Sequence, residues 1–229
     1  MKKLLIISVF LLFAAVANAQ IFTIFGQEVG FIYVGPKIGG TYSKISNFSD
    51  MFPGFTKYRY GYQLGAVGEF GFTSKFSIQT EIEFISKGAK SNADQRIKMN
   101  YIGIPILAKY CFKALGLSKI YAMGGTFEDV RTKGEWVDPG QTQPLGGGFK
   151  KYDWGFSFGA GAEYPTKQGI WALDLRYNLG MTDLHSENWE SYKTRSRSFG
   201  ISLSYKLNLV DLFSKLKNKD KNKESTQGK

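Results

Sequence analysis

Residues 152–164 read YDWGFSFGAGAEY. The even positions are Tyr152, Trp154, Phe156, Phe158, Ala160, Ala162 and Tyr164; the odd positions are Asp153, Gly155, Ser157, Gly159, Gly161 and Glu163. Successive side chains on a strand point to opposite faces, so this strand is apolar on one face and small or charged on the other. One such strand fits any half-buried sheet. The same pattern recurs in about eight segments, and that recurrence decides the fold class.

The predicted strands cover 31–43, 60–72, 76–87, 97–112, 119–127, 152–164, 170–182 and 197–207. In the first, Ile32, Val34, Pro36, Ile38 and Tyr42 oppose Tyr33, Lys37, Thr41 and Ser43. In the third, Phe76, Ile78, Ile82 and Phe84 oppose Ser77, Gln79, Glu81, Glu83 and Lys87. The fifth alternates least clearly. Pro105 cannot donate to a ladder, so a bulge or local break is expected there. The connections 72–75, 113–118 and 165–169 are short, whereas 44–59, 88–96, 128–150 and 183–194 are longer and polar or irregular. Short and long connections in alternation put the long ones at one end of an up-and-down barrel.

The N-terminus supplies the address. Lys2 and Lys3 precede an apolar run from Leu4 to Val16, and Ala17-Asn18-Ala19 forms a small-x-small cleavage site before Gln20. Residues 1–19 therefore read as a secretory signal peptide. A membrane anchor needs about 20 apolar residues, which this run lacks. No Cys follows the cleavage site, which excludes a lipoprotein. Residues 20–30 are a lead-in, 31–207 the barrel and 208–229 a tail.

A soluble ligand-carrying barrel of eight strands would point its apolar face inward. Two features oppose that reading. The polar face is rich in Gly and Ser with scattered Lys and Glu, which suits a narrow lumen better than a solvated surface. Aromatic residues (Tyr110, Phe112, Tyr152, Tyr164, Trp171, Tyr205) sit near the strand ends, as interfacial girdles require. The expected fold is all-β: an eight-stranded antiparallel up-and-down transmembrane barrel with short periplasmic turns, long extracellular loops and a C-terminal basic tail.

Net charge is +11, and +9 once the signal's two lysines are removed, with 28 basic against 19 acidic residues. An exported chain meets little nucleic acid, so the expected partners of this charge are outer-membrane lipid headgroups and lipopolysaccharide phosphates. A single cysteine, Cys111, excludes an internal disulfide.

Several segments together resemble the PorT-like outer-membrane β-barrel family of Bacteroidota, a porin-like group. They are Gly35-Pro36-Lys37-Ile38-Gly39 with Ser43, Glu83 to Ala89, Tyr101 to Tyr110, Gly155 to Glu163, and Leu173 to Gly180. The resemblance runs from about residue 30 to 207. It implies an eight-stranded outer-membrane barrel, and a link to protein secretion for some members, but no single activity. The last strand also looks like the signal read by the barrel-assembly machinery: polar Ser198, then Gly200, hydrophobic Leu203 and aromatic Tyr205. Beyond it, Leu209, Leu212, Phe213 and Leu216 have helical spacing, and 218–229 carries four lysines. That tail reads either as a periplasmic amphipathic helix with a basic end or as a solvated tail.

The candidate site is the lumen. Lys37, Glu69, Glu81, Glu83, Lys109, Glu163, Asp174 and Arg176 all fall on the inward face. Buried charges must pair, and eight strands enclose about enough room for their own side chains. A salt-bridged, plugged lumen is therefore expected, with a gated narrow pore as the alternative. Catalysis would need converging groups. The single histidine, His185, has Asp183, Ser186 and Glu187 nearby only in sequence, within one loop. No enzyme activity, metal or cofactor is expected. The expected partners are membrane lipids, the assembly machinery, and envelope or secretion proteins, with the barrel itself a monomer.

Overall fold

The computed structural model describes residues 23–24, 27–28, 30–112, 119–146, 148–185 and 193–209. Eight strands form the wall: β1 (Phe31–Ser46), β2 (Lys57–Gly71), β3 (Phe76–Lys90), β4 (Arg96–Phe112), β5 (Lys119–Asp138), β6 (Tyr152–Pro165), β7 (Ile170–Gly180) and β8 (Arg195–Asn208). Each pairs antiparallel with the next, and β8 pairs with β1 to close the barrel. Closure leaves no unpaired sheet edge, the condition for crossing a bilayer with strands. The two-residue strands Thr23–Ile24 and Gln27–Glu28 pair with each other ahead of the barrel. The signal segment, the 113–118 turn and the basic tail lie outside the described residues.

Alternation maps directly onto the wall. In the centre of β7, Leu175 lies opposite Ile201 of β8 and Ala160 of β6, all pointing out. The next residue, Arg176, lies opposite Gly200 and Gly159 and points in. Leu175 is 56 % exposed and its neighbour Asp174 is 1 % exposed. The apolar face therefore points outward and the polar face inward. A soluble carrier has the reverse arrangement.

The strands outrun the sequence-based boundaries at the end that carries the longer connections. There β5 continues eleven residues past Phe127, and Gln141–Pro144 folds back on its last four residues. Segment 128–150 is thus mostly strand and hairpin. Likewise β3 and β4 run to within five residues of each other, so 91–95 is a tight connection. A strand needs about 9–11 residues to span a bilayer; β4 has 17 and β5 has 20, so both project beyond it. Pro105 breaks the β3–β4 ladder without a bulge, because pairing resumes in the same register at Glu83–Gly103 after Thr80–Ile106.

A bulge does occur between β4 and β5. Asn100 lies opposite Lys133 and Tyr101 opposite Arg131, leaving Thr132 as the extra residue. Its hydroxyl donates to the Asn100 carbonyl at 3.1 Å. One extra residue swaps the two faces of the strand. Beyond it, Trp136 turns inward and packs on Phe52 and Phe55 at 5.4 and 5.2 Å between ring centroids.

Those rings belong to a hydrophobic cap over the lumen. The connection after β1 contains a single helical turn, α1 (Phe48–Met51), which seats Phe48. Ile45, Phe48, Phe55, Ile85, Ile97, Met99, Tyr101 and Leu184 are buried there, with Phe149 packed against them. At the other end Leu107, Tyr121 and Met123 form a small buried cluster beside half-buried Cys111.

Candidate functional site: the lumen

All eight candidate lumen residues (Lys37, Glu69, Glu81, Glu83, Lys109, Glu163, Asp174 and Arg176) are buried inside the barrel. They fall into layers drawn from alternate strands, as in other closed eight-stranded barrels. Nearest the short-turn end lies a square of four charges, one from each even-numbered strand: Glu69 on β2, Lys109 on β4, Glu163 on β6 and Lys206 on β8. Each ammonium contacts both carboxylates. Lys109 Nζ lies 3.1 Å from Glu69 Oε2 and also pairs with Glu163; Lys206 Nζ lies 2.5 Å from Glu163 Oε1 and also pairs with Glu69. The Ser77 hydroxyl adds a bond to Glu69 at 2.7 Å.

The next layer comes from odd-numbered strands. Glu81 of β3 takes Arg176 of β7 in a two-pronged contact, at 2.6 Å from Nη2 and 3.1 Å from Nη1. Strands β3 and β7 lie opposite each other in the ring, so this pair spans the lumen. Lys37 of β1 joins Glu81, and also Glu83 at 3.1 Å. The Tyr121 hydroxyl of β5 donates to Asp174, which lies 3.8 Å from Arg176. Two-pronged guanidinium–carboxylate contacts fix geometry as well as charge.

A third group lies under the cap. Lys87 pairs with Asp129 and, at 3.5 Å, with Asp153. Ser196 donates to Asp153 at 2.5 Å, and the Lys87 ammonium sits 4.4 Å from the Phe127 ring. Such depth of charge needs space, and the wall supplies it with glycine. A side-chain carbon on Gly103 would lie 2.2 Å from the Asp129 carboxylate, and one on Gly161 would lie 2.4 Å from the Tyr121 hydroxyl.

Sequence reasoning missed Lys87, Lys206, Tyr121, Asp129 and Asp153 as members of this lattice. Lys206 and Lys87 stand in the inward phase of their strands, so phase alone could have found them. Asp129 lies past the expected end of the fifth strand, whose alternation is blurred by Gly124 and Gly125.

On β8, Ser198 faces the lumen and is buried, Leu203 faces out at 42 % exposure, and Tyr205 packs on Trp171 at 4.7 Å. His185 forms an isolated bridge with Phe149, and its ring lies 5.8 Å from that of Phe149. Asp183 turns its carboxylate to backbone and hydroxyl donors instead: the Thr194 amide and hydroxyl at 3.1 and 3.0 Å, and the His185 amide at 3.3 Å. Partial burial would raise its pKa, but these three donors, helped by Lys150, bring it below the usual value of 3.8. A depressed carboxylate stabilises above its unfolded pKa and loses that effect as pH falls through the folded value. The contacts of Asp183 with Thr194 and with the His185 amide should therefore hold at neutral pH and be lost as the carboxylate protonates in acid. The Thr194 amide resonance, followed by NMR on acid titration, should move with a midpoint below 3.8; a midpoint above it would refute the assignment.

Aromatic pairs ring the outside at both ends. Tyr110–Phe112 and Trp171–Tyr205 mark the short-turn end, and Tyr42–Tyr58 and Tyr177–Phe199 the other. An apolar belt between aromatic girdles around a charged lumen defines an integral outer-membrane β-barrel. The chain belongs to the family described as outer membrane protein beta-barrel domain, whose model matches residues 18–186, and that family places it in the outer membrane. No curated protein matches it in sequence. Among solved structures it is similar to Ail, the attachment invasion locus protein of Yersinia pestis, with 10% identity over 77% of this chain and 99% of that one and a TM-score of 0.42. It is also similar to Neisserial surface protein A (12% identity; 77% and 96% covered; TM-score 0.49) and to OprG from Pseudomonas aeruginosa (13%; 78% and 97%; 0.44).

Proposed function

We propose that this barrel does not conduct, and that it serves as a structural or interaction component of the outer membrane. The observation that carries this reading is the four-charge square. Two lysines and two glutamates from alternate strands neutralise one another across the lumen, and the Glu81–Arg176 pair crosses it again one layer further along. An ion on this path would have to separate buried pairs, each step leaving an uncompensated charge in a low-dielectric interior. The hydrophobic cap closes the other end. The likeness of its motifs to the PorT-like group supports a partner among envelope or secretion proteins.

Planar-bilayer recording tests the reading directly. The purified, folded barrel should give no steady single-channel steps. Reproducible steps would overturn the closed-lumen proposal and establish the alternative, a narrow channel gated by the ion lattice.

A further inference from the structure

The outer wall carries a feature that the lumen does not explain. At the long-connection end, a groove of about 970 Å³ runs across the projecting ends of β2, β3, β4 and β5. Five cations line it: Lys57, Arg59, Lys90, Arg96 and Lys98. One lining residue, Glu135, is acidic. Among the described residues, Lys98 has Glu135 at 3.8 Å and Lys90 has the exposed Asp94 at 2.8 Å, while Lys57, Arg59 and Arg96 form no direct ion pair. Five cations against two carboxylates, one of them (Glu135) shared with Lys133 at 2.5 Å, leave an excess of positive charge on this surface that attracts an anion of several charges.

A second hollow adjoins it. It measures about 510 Å³ and is lined by apolar groups, among them Leu175, Tyr177, Phe199 and Ile201 on the lipid-facing wall. Its floor is opened by Gly40, which stands in the outward phase of β1, where its neighbours Ile38 and Tyr42 carry large side chains. Tyr42 and Tyr60 line both spaces. The basic groove and the apolar hollow are therefore one amphipathic surface, hinged on two tyrosines of the aromatic girdle.

We infer that this surface is a binding site for a phosphorylated acyl-glycolipid of the outer leaflet, with phosphates in the basic groove and an acyl chain in the hollow beside Gly40. Three points select this occupant over a free anion or a protein. The cations stand at the level where the girdle meets the headgroups. The apolar hollow opens towards the bilayer core, where a soluble anion has nothing to place. The charge excess matches a molecule with more than one phosphate. The site is independent of whether the lumen conducts.

The test is native mass spectrometry of the full chain, folded in neutral detergent and titrated with diphosphoryl lipid A. One lipid should bind, and fully dephosphorylated lipid A should bind at least tenfold more weakly. Lys57→Gln/Arg96→Gln/Lys98→Gln should weaken diphosphoryl binding at least tenfold while the protein keeps its faster migration unboiled on a detergent gel. Arg96→Lys/Lys98→Arg should keep affinity within threefold, because the charge remains. Lys75→Gln/Lys167→Gln, at the opposite end, should leave it unchanged. Equal affinity for the dephosphorylated lipid, or no loss in the folded triple variant, would overturn the proposal. So would full displacement by millimolar inorganic phosphate, which would make the groove a plain anion site.

Discussion

Glu81→Ala should destabilise the folded barrel by about 3–5 kcal/mol, the cost of breaking a buried ion pair from one side. Glu81 is the hub of the middle layer: it holds Arg176 by two contacts, Lys37 by a third and the Gln79 amide at 2.7 Å. Its removal leaves Lys37 with Glu83 and takes both hydrogen-bonded contacts from the guanidinium, whose remaining ion pair is Asp174 at 3.8 Å. Urea unfolding in micelles, read by the shift between the unboiled and boiled gel bands, measures the loss. Glu81→Leu with Arg176→Met should recover most of it, because the double change removes the stranded charge with its partner. A single variant costing less than about 1 kcal/mol, the range of an exposed pair, would mean that water screens the lumen and that the lattice is not what closes it.

Phe48→Ala should cost a further, independent amount of about 3–5 kcal/mol, the range for deleting a buried phenyl ring. Phe48 is fully buried and meets three rings: Phe52 at 4.8 Å, Phe55 edge-on at 5.3 Å and Phe149 at 6.1 Å. These come from two different connections, so the one side chain pins both to the barrel mouth. The loss should appear as faster proteolysis of 47–56 and 139–151 in intact barrels, with the membrane-embedded part still resistant. Unchanged cleavage would show that the cap is held by the strand extensions beneath it. Because Phe48 shares no partner with Glu81, the two losses should add.

The wall was legible in the sequence because its physics is local. A strand with lipid on one side and a packed lumen on the other must alternate, and the recurrence of the pattern of 152–164 and 170–180 in eight segments made the barrel readable. Lumen membership followed from the same phase, which placed Lys37, Glu81 and Arg176 inside without any knowledge of register. What the sequence concealed depends on longer range. Trp136 joins the cap only because Thr132 is an extra residue that swaps the faces of β5, and nothing near Thr132 announces the bulge. The pairing of Lys206 with Glu69 links residues 137 positions apart, so phase could place both inside the barrel without making them partners. Phe48, Phe52 and Phe55 did leave a trace. Three phenyl rings in one polar connection are expensive to leave in water, and their spacing foretells a buried mouth.

The four-charge square also bears on how the barrel is made. Its members arrive in chain order as minus, plus, minus, plus, and the last, Lys206, lies on the final strand. A chain inserted as far as β7 would therefore hold Glu69, Lys109 and Glu163 in the bilayer interior with one negative charge unanswered. Docking β8 against β1 both seals the hydrogen-bond ladder and delivers the missing ammonium, so the charge left over at six or seven strands is relieved in the step that closes the barrel. The last step of closure is thereby favoured: the sheet has little to gain from pausing at seven strands, where Glu163 has brought a negative charge that only the final strand neutralises.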